Sequence, residues 1–373
     1  MHQTITFIVT QDCQLKCKYC YLVGKNSETE MTTGTALKVV DFVFQHCEDF
    51  NTEDELVFDF IGGEPLLRMD LVEEVCSYIV TKTAAQENPW HDNYSFRITT
   101  NGLLYGTPKV QEFIRKYKDK LYVTISIDGT QSKHDASRVY PNGKGSYEDI
   151  IKNVPLWLQQ FPETSTKVIV SSENVSYVKE SVLHLCSLGI KYLDVNPVLE
   201  EGWKEGDDTI FEQQLISLAD YIIENQLFDK HRIGCFSKLI GQKLSSEEEA
   251  KWCDLSNTLC VDANGYFYPC IRFAKYSLRD KQPWAVGNLE YGIDKNKLRP
   301  FLLLDRVTQS PKKCLECEVS GGCGWCPAEN YDSADTHTLY QRSSAVCKIH
   351  KARVRANNYY WNKLSFKLNH SND

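Results

Sequence analysis

Short apolar runs rich in β-branched and aromatic residues alternate with amphipathic stretches over residues 1–200 of this chain. The apolar runs predict six strands, at residues 4–9, 56–61, 95–99, 122–127, 167–170 and 192–196. The amphipathic stretches predict helices, among them residues 35–50, 70–82 and 109–117. Strands that alternate with helices pair in parallel through right-handed crossovers, and ligands bind at the C-terminal ends of such strands. The pattern therefore predicts an α/β fold with a site at one end of its strands.

The pattern changes in the second half of the chain. Apolar spacing predicts two helices, at residues 211–228 and 236–249. From residue 253 the periodicity is weak and Gly, Pro and Trp are frequent, which is typical of a small domain folded around metal. We therefore expect an α/β domain, a helical linker, a metal-binding domain, and a C-terminal helix with a frayed tail. The predicted boundaries are 1–230, 231–252, 253–350 and 351–373.

Composition narrows the class of protein. The chain has 373 residues, of which 42% are hydrophobic and 25% are charged, as is ordinary for a globular protein. A net charge of −8 argues against a general nucleic-acid binder. The longest apolar runs are too short for a membrane span, and the first residues do not form a secretion signal. We expect a cytoplasmic protein that binds neither nucleic acid nor membrane.

Fifteen cysteines are present, and an odd number in a reducing cytosol favours metal ligands over disulfides. Cys13, Cys17 and Cys20 follow the first apolar run with the spacing C-x3-C-x2-C. Three thiolates in one loop can hold three irons of a 4Fe–4S cluster and leave the fourth iron open for another ligand. The alternative is zinc, but a structural zinc site takes four ligands, usually in separated pairs.

Polar or glycine-containing segments follow three of the predicted strands. Gly62, Gly63 and Glu64 come after the second strand, in the sequence Phe60-Ile-Gly-Gly-Glu-Pro65. Asn101 follows the third strand, and Ser126 and Asp128 close the fourth. Glycines let a ligand approach the backbone, and hydroxyl and carboxylate groups suit a ribose or an amino acid. The alternative for each segment is a plain turn, since these residues favour turns.

The three-cysteine loop and these segments, in this order, resemble the radical S-adenosylmethionine (SAM) superfamily over residues 5–200. The resemblance implies a partial (β/α)6 TIM-like barrel with a SAM-binding cluster at its open end. It also implies that SAM is cleaved to a 5′-deoxyadenosyl radical that takes a hydrogen atom from the substrate. It assigns cofactor-binding roles to the residues of the three segments, to the aromatic Tyr19 and to Arg138. For Arg138, which would approach the SAM carboxylate, the alternative is an exposed surface cation.

Eight further cysteines lie between residues 253 and 347. Their spacing resembles the SPASM domain, which binds two auxiliary 4Fe–4S clusters. The resemblance assigns Cys253, Cys260, Cys270 and Cys326 to the first auxiliary cluster. It assigns Cys314, Cys317, Cys323 and Cys347 to the second, which makes three clusters in total. The two residues between Cys323 and Cys326 depart from the usual three, and a zinc ribbon is the alternative.

The resemblance implies a maturase that installs a thioether or carbon–carbon cross-link in a ribosomally made precursor peptide. Ile271 stands where sulfatase-maturating enzymes have an aspartate, which argues against formylglycine formation. The alternatives are an enzyme that matures a partner enzyme, in the manner of sulfatase or dehydrogenase maturases, and a non-catalytic iron–sulfur scaffold.

The implied partners are the precursor peptide and an electron donor such as a flavodoxin or ferredoxin. Because the cluster loop begins at residue 13, leader recognition is expected to need a separate leader-binding protein or another surface. The basic stretch 348–355 is the candidate surface, and its alternative is a solvated helix face. Of the remaining cysteines, Cys235 is a candidate substrate-capturing thiol. Cys47, Cys76 and Cys186 are expected to be packed thiols.

Overall fold

A computed structural model describes residues 2–84, 88–200, 202–253, 255 and 257–370 of the chain. The chain forms two compact units, and each is assembled from separate stretches of sequence. The first contains Met1–Ser126, Arg138–Trp157 and Asp254–Leu303. The second contains Ile127–Ser137, Leu158–Cys253 and Leu304–Asp373.

The first unit is built on a mixed sheet of eight strands within the described residues, in the order β11-β10-β9-β8-β1-β2-β3-β4. Strands β1 to β4 pair in parallel, β8 pairs in parallel with β1, and β8 to β11 pair antiparallel. The strands are β1 (Thr4–Thr10), β2 (Leu56–Gly62), β3 (Tyr94–Thr100), β4 (Leu121–Ile125), β8 (Thr258–Val261), β9 (Tyr266–Tyr268), β10 (Gly287–Asn288) and β11 (Gly292–Ile293).

Strand β1 lies inside this sheet, between β8 and β2, and its side chains are buried on both faces. Ile5, Phe7 and Val9 are at most 1% exposed, and Thr6, Ile8 and Thr10 on the opposite face are at most 5% exposed. Such two-sided burial is typical of a parallel strand covered on both faces. The ring of Phe7 stacks on that of Phe60 in β2, with centroids 5.4 Å apart. This core fixes the strand ends from which the cysteine loop departs.

The second unit contains a parallel three-stranded sheet in the order β5-β6-β7 within its described residues. Its strands are β5 (Ser165–Val170), β6 (Tyr192–Pro197) and β7 (Arg232–Ile233). The long C-terminal helix, α13, packs on α8, and Arg355 of α13 pairs with Glu212 of α8.

Thirteen α-helices are present in the described residues. They are α1 (Thr33–Gln45), α2 (Met69–Thr83), α3 (Pro108–Tyr117), α4 (Gln131–Ser137), α5 (Tyr147–Ile151), α6 (Val154–Gln160), α7 (Val178–Ser187), α8 (Asp207–Glu224), α9 (Lys295–Leu302), α10 (Arg306–Gln309), α11 (Lys312–Leu315), α12 (Pro327–Asp332) and α13 (Cys347–His370). Within the part of the chain that the structure describes, no helix combines the length and apolarity that a bilayer crossing requires.

The predicted α/β class is confirmed, and all six predicted strands are present as β1 to β6. They lie in two sheets, with β4 and β5 in different ones. The predicted helix at 236–249, and with it the helical linker at 231–252, is wrong, because these residues form β7 and turns. The predicted helix at 35–50 ends at Gln45. The linear domain boundaries stay a prediction, since the residues beyond 253 divide between the two units.

Candidate radical SAM site

The loop after β1 gathers three predicted cluster ligands around one cavity of the first unit. Cys13, Cys17 and Cys20 all line this cavity, whose volume is about 160 Å³. Local hydrogen bonds shape the loop: the Cys13 amide donates to Asp12 Oδ1 at 2.9 Å, and the Cys20 amide donates to the Cys17 carbonyl at 3.2 Å. The sequence therefore folds locally so that the three thiols face the same space.

The ligand set at the cavity favours a cluster over a structural zinc ion, which takes four protein ligands: three thiols line it, and its described lining includes no histidine, aspartate or glutamate. Sulfurs that share one tetrahedral zinc lie roughly 3.8 Å apart, given zinc–sulfur bonds of about 2.3 Å. Among the described residues, which include all fifteen cysteines, no three cysteines have sulfurs all within 4.8 Å of one another. Thiolates that bind different irons of a cluster stand farther apart than ligands of one ion. The residues around the cavity therefore fit a 4Fe–4S cluster.

The two glycines after β2 are required by a close approach of backbone to backbone. A Cβ on Gly62 would lie 2.2 Å from the carbonyl oxygen of Thr10, and one on Gly63 would lie 2.0 Å from that of Asp12. The Gly63 amide donates to the Thr10 carbonyl at 2.8 Å, and the Glu64 amide donates to the Asp12 carbonyl at 2.7 Å. The end of β2 is thus joined to the cysteine loop, and both glycines line the cavity.

Glu64 lies behind the cavity wall, 1% exposed, and does not line the cavity. Its carboxylate accepts hydrogen bonds from the Leu66 amide at 3.0 Å, the Thr100 hydroxyl at 2.6 Å and the Asn101 amide at 2.7 Å. Burial raises the pKa of this carboxyl to about 7, although the three donors oppose the rise. The predicted direct contact of Glu64 with SAM stays a prediction, and the observed contacts orient Asn101.

Asn101 lies at the end of β3 and lines the cavity, as predicted from its position after the strand. Its Nδ2 donates to the Gln14 side chain at 3.1 Å and lies 3.8 Å from Cys13 Sγ. Ser126 also lines the cavity, and its amide donates to the Thr100 carbonyl at 2.9 Å. Asp128 is buried in the second unit, so its predicted cofactor role stays a prediction.

Arg138 brings a positive charge to the cysteine loop. Its Nη1 lies 4.0 Å from Cys17 Sγ, and its guanidinium lies 5.4 Å from the centroid of the Tyr19 ring. Burial raises the pKa of Cys17 to about 11, while Arg138 and Lys25 act in the opposite direction. Lys25 also lines the cavity and donates to the Leu15 carbonyl at 2.9 Å. Sequence reasoning missed Lys25 and Gln14, which carry no motif of their own.

The second set of cysteines lines a cavity of about 190 Å³ inside the second unit. Cys314, Cys317, Cys323 and Cys347 all face it, and Cys347 is the first residue of α13. No three of these sulfurs come within 4.8 Å of one another in the described chain, and four thiols are the ligand set of a fully ligated 4Fe–4S cluster. The structure thus brings together the four residues that the resemblance assigned to the second auxiliary cluster.

The remaining four predicted ligands divide between the two units. Cys260 lies in β8 and Cys270 follows β9, both in the first unit, whereas Cys253 and Cys326 belong to the second. Their assignment to one cluster stays a prediction.

Cys235 is fully buried, and burial raises the pKa of its thiol to about 12. A nucleophilic thiol needs access and a populated thiolate. The structure therefore gives no support to a substrate-capturing role for Cys235. Cys76 and Cys186 are buried as expected, and Cys47 is half-buried.

Residues 7–185 of the chain match the family model of the radical SAM superfamily. Residues 7–185 are a radical SAM domain. The radical SAM family binds SAM and a 4Fe–4S cluster, which agrees with the thiol-lined cavity of the first unit. The chain is a radical SAM enzyme, homologous to maturases that modify peptides or proteins.

Two relatives extend this likeness beyond the matched domain. The radical SAM cyclopropyl synthase TigE of Paramaledivibacter caminithermalis is 22% identical over an alignment of 372 positions, which covers 95% of this chain and 73% of TigE. The serine-type anaerobic sulfatase-maturating enzyme of Bacteroides thetaiotaomicron is 23% identical over an alignment of 352 positions, which covers 86% of this chain and 81% of that enzyme.

Two solved structures show the fold. The enzyme anSMEcpe with bound AdoMet superposes with a TM-score of 0.70 at 19% identity, covering 100% of this chain and 99% of that one. Streptococcus suis SuiB bound to the precursor peptide SuiA gives a TM-score of 0.60 at 16% identity, covering 92% of this chain and 75% of SuiB. The α/β radical SAM fold is thereby confirmed.

Proposed function

We propose that this radical SAM enzyme modifies a ribosomally made precursor peptide and installs a thioether or carbon–carbon cross-link. The observation that carries the proposal is the cavity at the ends of β1 to β4, where three thiols, two glycines and Arg138 face one space. This donor set suits a cluster with one open iron and an amino acid that fills the open position. Cys13, Cys17 and Cys20 would hold that cluster.

When bound, the cluster and SAM would supply a 5′-deoxyadenosyl radical able to take hydrogen from an unactivated carbon. The protein residues would provide position and shelter from water. Arg138 offers a guanidinium that can pair with a carboxylate bidentately. Gly62 and Gly63 offer backbone that a ligand can approach closely, and Ser126 offers a hydroxyl that suits a ribose. Glu64 would act through Asn101, whose side chain reaches Gln14 and the Cys13 sulfur.

Two auxiliary clusters belong to the proposal. Cys314, Cys317, Cys323 and Cys347 would hold one, and Cys253, Cys260, Cys270 and Cys326 would hold the other. Four cysteines per cluster leave no iron open for a substrate, which favours a role in electron transfer. The proposed electron donor is a flavodoxin or ferredoxin. A separate leader-binding protein is the proposed route for recognising the peptide.

The peptide substrate is supported by the shared fold of SuiB, which was solved with a precursor peptide. Ile271, directly after Cys270, argues against formylglycine chemistry. The second candidate is an enzyme that matures a partner protein, and the full-length likeness to anSMEcpe and the sulfatase-maturating relative favour it.

The experiment is SAM cleavage by anaerobically reconstituted enzyme with dithionite, in the presence of a peptide encoded beside the gene. Formation of 5′-deoxyadenosine, abolished in Cys13→Ala and retained in Cys47→Ala, supports the enzyme. Its complete absence with the wild-type chain contradicts the proposal. Mass spectrometry of the coexpressed peptide identifies the bond: a loss of two hydrogens indicates a cross-link. An unmodified peptide together with a modified neighbouring enzyme favours the second candidate.

A further inference from the structure

The cavity of the second unit that holds Cys314, Cys317, Cys323 and Cys347 has a positively charged wall. Lys313, Arg342 and Lys351 line it, and the described residues around it include neither aspartate nor glutamate. Lys313 and Lys351 are exposed, so solvent screens their charges. Arg342 is 6% exposed, so its charge acts with little screening.

Arg342 contacts a predicted cluster ligand directly. Its Nη2 donates to Cys323 Sγ at 3.0 Å, and it also lies 3.5 Å and 3.3 Å from the carbonyl oxygens of Cys323 and Gly324. Its Nε is buried and makes no hydrogen bond with the described residues. The contacts of the guanidinium are therefore neutral groups and one sulfur, and a carboxylate is absent from them within the described chain.

The guanidinium is held in a fixed place. It stacks on the Trp325 ring, with 4.2 Å from its carbon to the ring centroid. The Trp325 Nε1 donates to Gln309 Oε1 at 2.8 Å, and the Arg342 amide donates to the Gln309 carbonyl at 2.8 Å. The charge therefore cannot swing away from Cys323 without breaking this arrangement.

The neighbouring histidine contributes no charge. Arg353 can only donate, so the 3.1 Å contact between its Nη2 and His350 Nδ1 makes Nδ1 an acceptor. The His350 Nε2 then donates to the Val319 carbonyl at 2.6 Å. His350 is thereby fixed as the neutral tautomer, and burial with the nearby cations lowers its pKa to about 4. Arg342 is left as the buried cation in contact with the cysteines of this site.

A buried guanidinium without a carboxylate is costly unless another anion compensates it. A 4Fe–4S cluster held by four thiolates is a dianion, and it gains one further negative charge when an external reductant gives it an electron. We propose that Arg342 raises the reduction potential of the second auxiliary cluster by stabilising this added charge. Net charge and hydrogen bonds to the sulfurs are the features that set such potentials. This inference rests on the proposed assignment of a cluster to these four cysteines.

The test is a redox titration of the reconstituted full-length enzyme, followed by electron paramagnetic resonance together with iron content. The signal of this cluster is identified by its loss in Cys314→Ala. For Arg342→Gln with unchanged iron, we expect the ratio of reduced to oxidised cluster at a fixed potential to fall at least tenfold, which is 59 mV for one electron. This ratio should fall less in Arg342→Lys, which keeps the charge. In Lys313→Gln it should stay within error of the wild-type value.

An unchanged midpoint in fully loaded Arg342→Gln overturns the inference. If Arg342→Gln does not load this cluster, the neutral variant Arg342→Met is titrated in its place, because it also removes the charge while keeping an unbranched side chain that can cover the Trp325 ring. An unchanged midpoint in loaded Arg342→Met then overturns the inference. If Cys314→Ala removes no iron, the cluster assignment under the proposed function is what fails.

Discussion

At the scale of single residues, the most informative side chain is Glu64, because it combines burial with three hydrogen-bond donors. The donors stabilise the ionised carboxylate, whereas the loss of water stabilises the protonated acid. Burial is the larger effect here, and the pKa rises to about 7. A carboxyl that gains or loses its proton near neutral pH makes the strand end beside the cysteine loop sensitive to pH.

The stability of iron-free protein should therefore fall as the pH rises between about 5 and 7. The folded state binds the Glu64 proton more tightly than the unfolded state, so its contribution is present at low pH and is lost above the raised pKa. The shift from 4.5 corresponds to at most about 3 kcal/mol. Urea unfolding across this range should show the slope in wild type and in Glu53→Gln, whose side chain is exposed. An equal slope in Glu64→Gln would show that Glu64 is not its source.

Gly63 gives a second prediction at this scale. A Cβ at this position would lie 2.0 Å from the Asp12 carbonyl oxygen, and backbone cannot give way as a flexible side chain does. We expect Gly63→Ala to lose at least about 2 kcal/mol of stability, as overpacked positions do, and to impair iron loading at Cys13. Gly34→Ala is the matched control, since its nearest neighbour, Thr32 Oγ1, is 3.9 Å away. Equal stability of the two variants would contradict this reading.

The sequence was informative for residues whose chemistry depends on local spacing. The loop cysteines, the two glycines, Asn101 and Arg138 were predicted from motifs, and the structure brings them to one cavity. Lys25, Gln14 and Arg342 were missed because none of them belongs to a motif, and Gln14 and Arg342 contact partners 87 and 19 residues away. A lone cation or amide in a sequence carries no sign of the sulfur that it will contact.

At the scale of elements, apolar runs identified the strands correctly, whereas the apolar spacing of residues 236–249 predicted a helix that is absent. The segment 236–249 has charged residues of good helix propensity, yet its backbone pairs elsewhere. The Gly241 amide donates to the Gly321 carbonyl at 2.9 Å, and the Gly321 amide donates to the Gln242 carbonyl at 2.7 Å. Gly241 also adopts a positive φ of 83°, which interrupts any helix. These tertiary contacts override the propensity.

Helix α13 supplies a prediction at the scale of elements. Asn357 is 2% exposed, and its Nδ2 donates to the carbonyls of Ser237 and Ile240 at 3.0 and 3.1 Å. Removing the amide in Asn357→Ala leaves the buried Ile240 carbonyl without a donor, whereas the Ser237 carbonyl still accepts from the Ile240 amide at 3.0 Å. The lost hydrogen bonds should cost about 1–3 kcal/mol in chemical denaturation. The exposed neighbour on the same helix, Asn358, should tolerate alanine within about 0.5 kcal/mol. Because α13 begins at Cys347, we also expect Asn357→Ala to load the second auxiliary cluster more slowly.

At the scale of the whole chain, the division into units could not be predicted from composition. Residues 254–303 join the first unit because β8 pairs with β1, where Thr4 faces Thr258 and Phe7 faces Val261. Strands of two to four residues such as β8 to β11 carry too few positions to show an alternating pattern. The sequence shows a change in composition near residue 253. It does not show that β8 pairs with β1 and so joins residues 254–303 to the first unit.

Metal removal should expose a difference between segments of the chain. Residues 304–346 contain only three short helices within the described structure, α10, α11 and α12, and no strand. A segment with so little regular structure gains much of its stability from the metal that it binds, as in small metal-binding domains.

Full loading with three clusters should give about twelve irons per chain. After iron is removed by chelation under reducing conditions, trypsin should cut rapidly at Lys312, Lys313 and Arg342, while residues 56–125 stay protected. Limited proteolysis with mass spectrometry measures this, and a cleavage pattern identical with and without iron would contradict the role of metal in folding this segment.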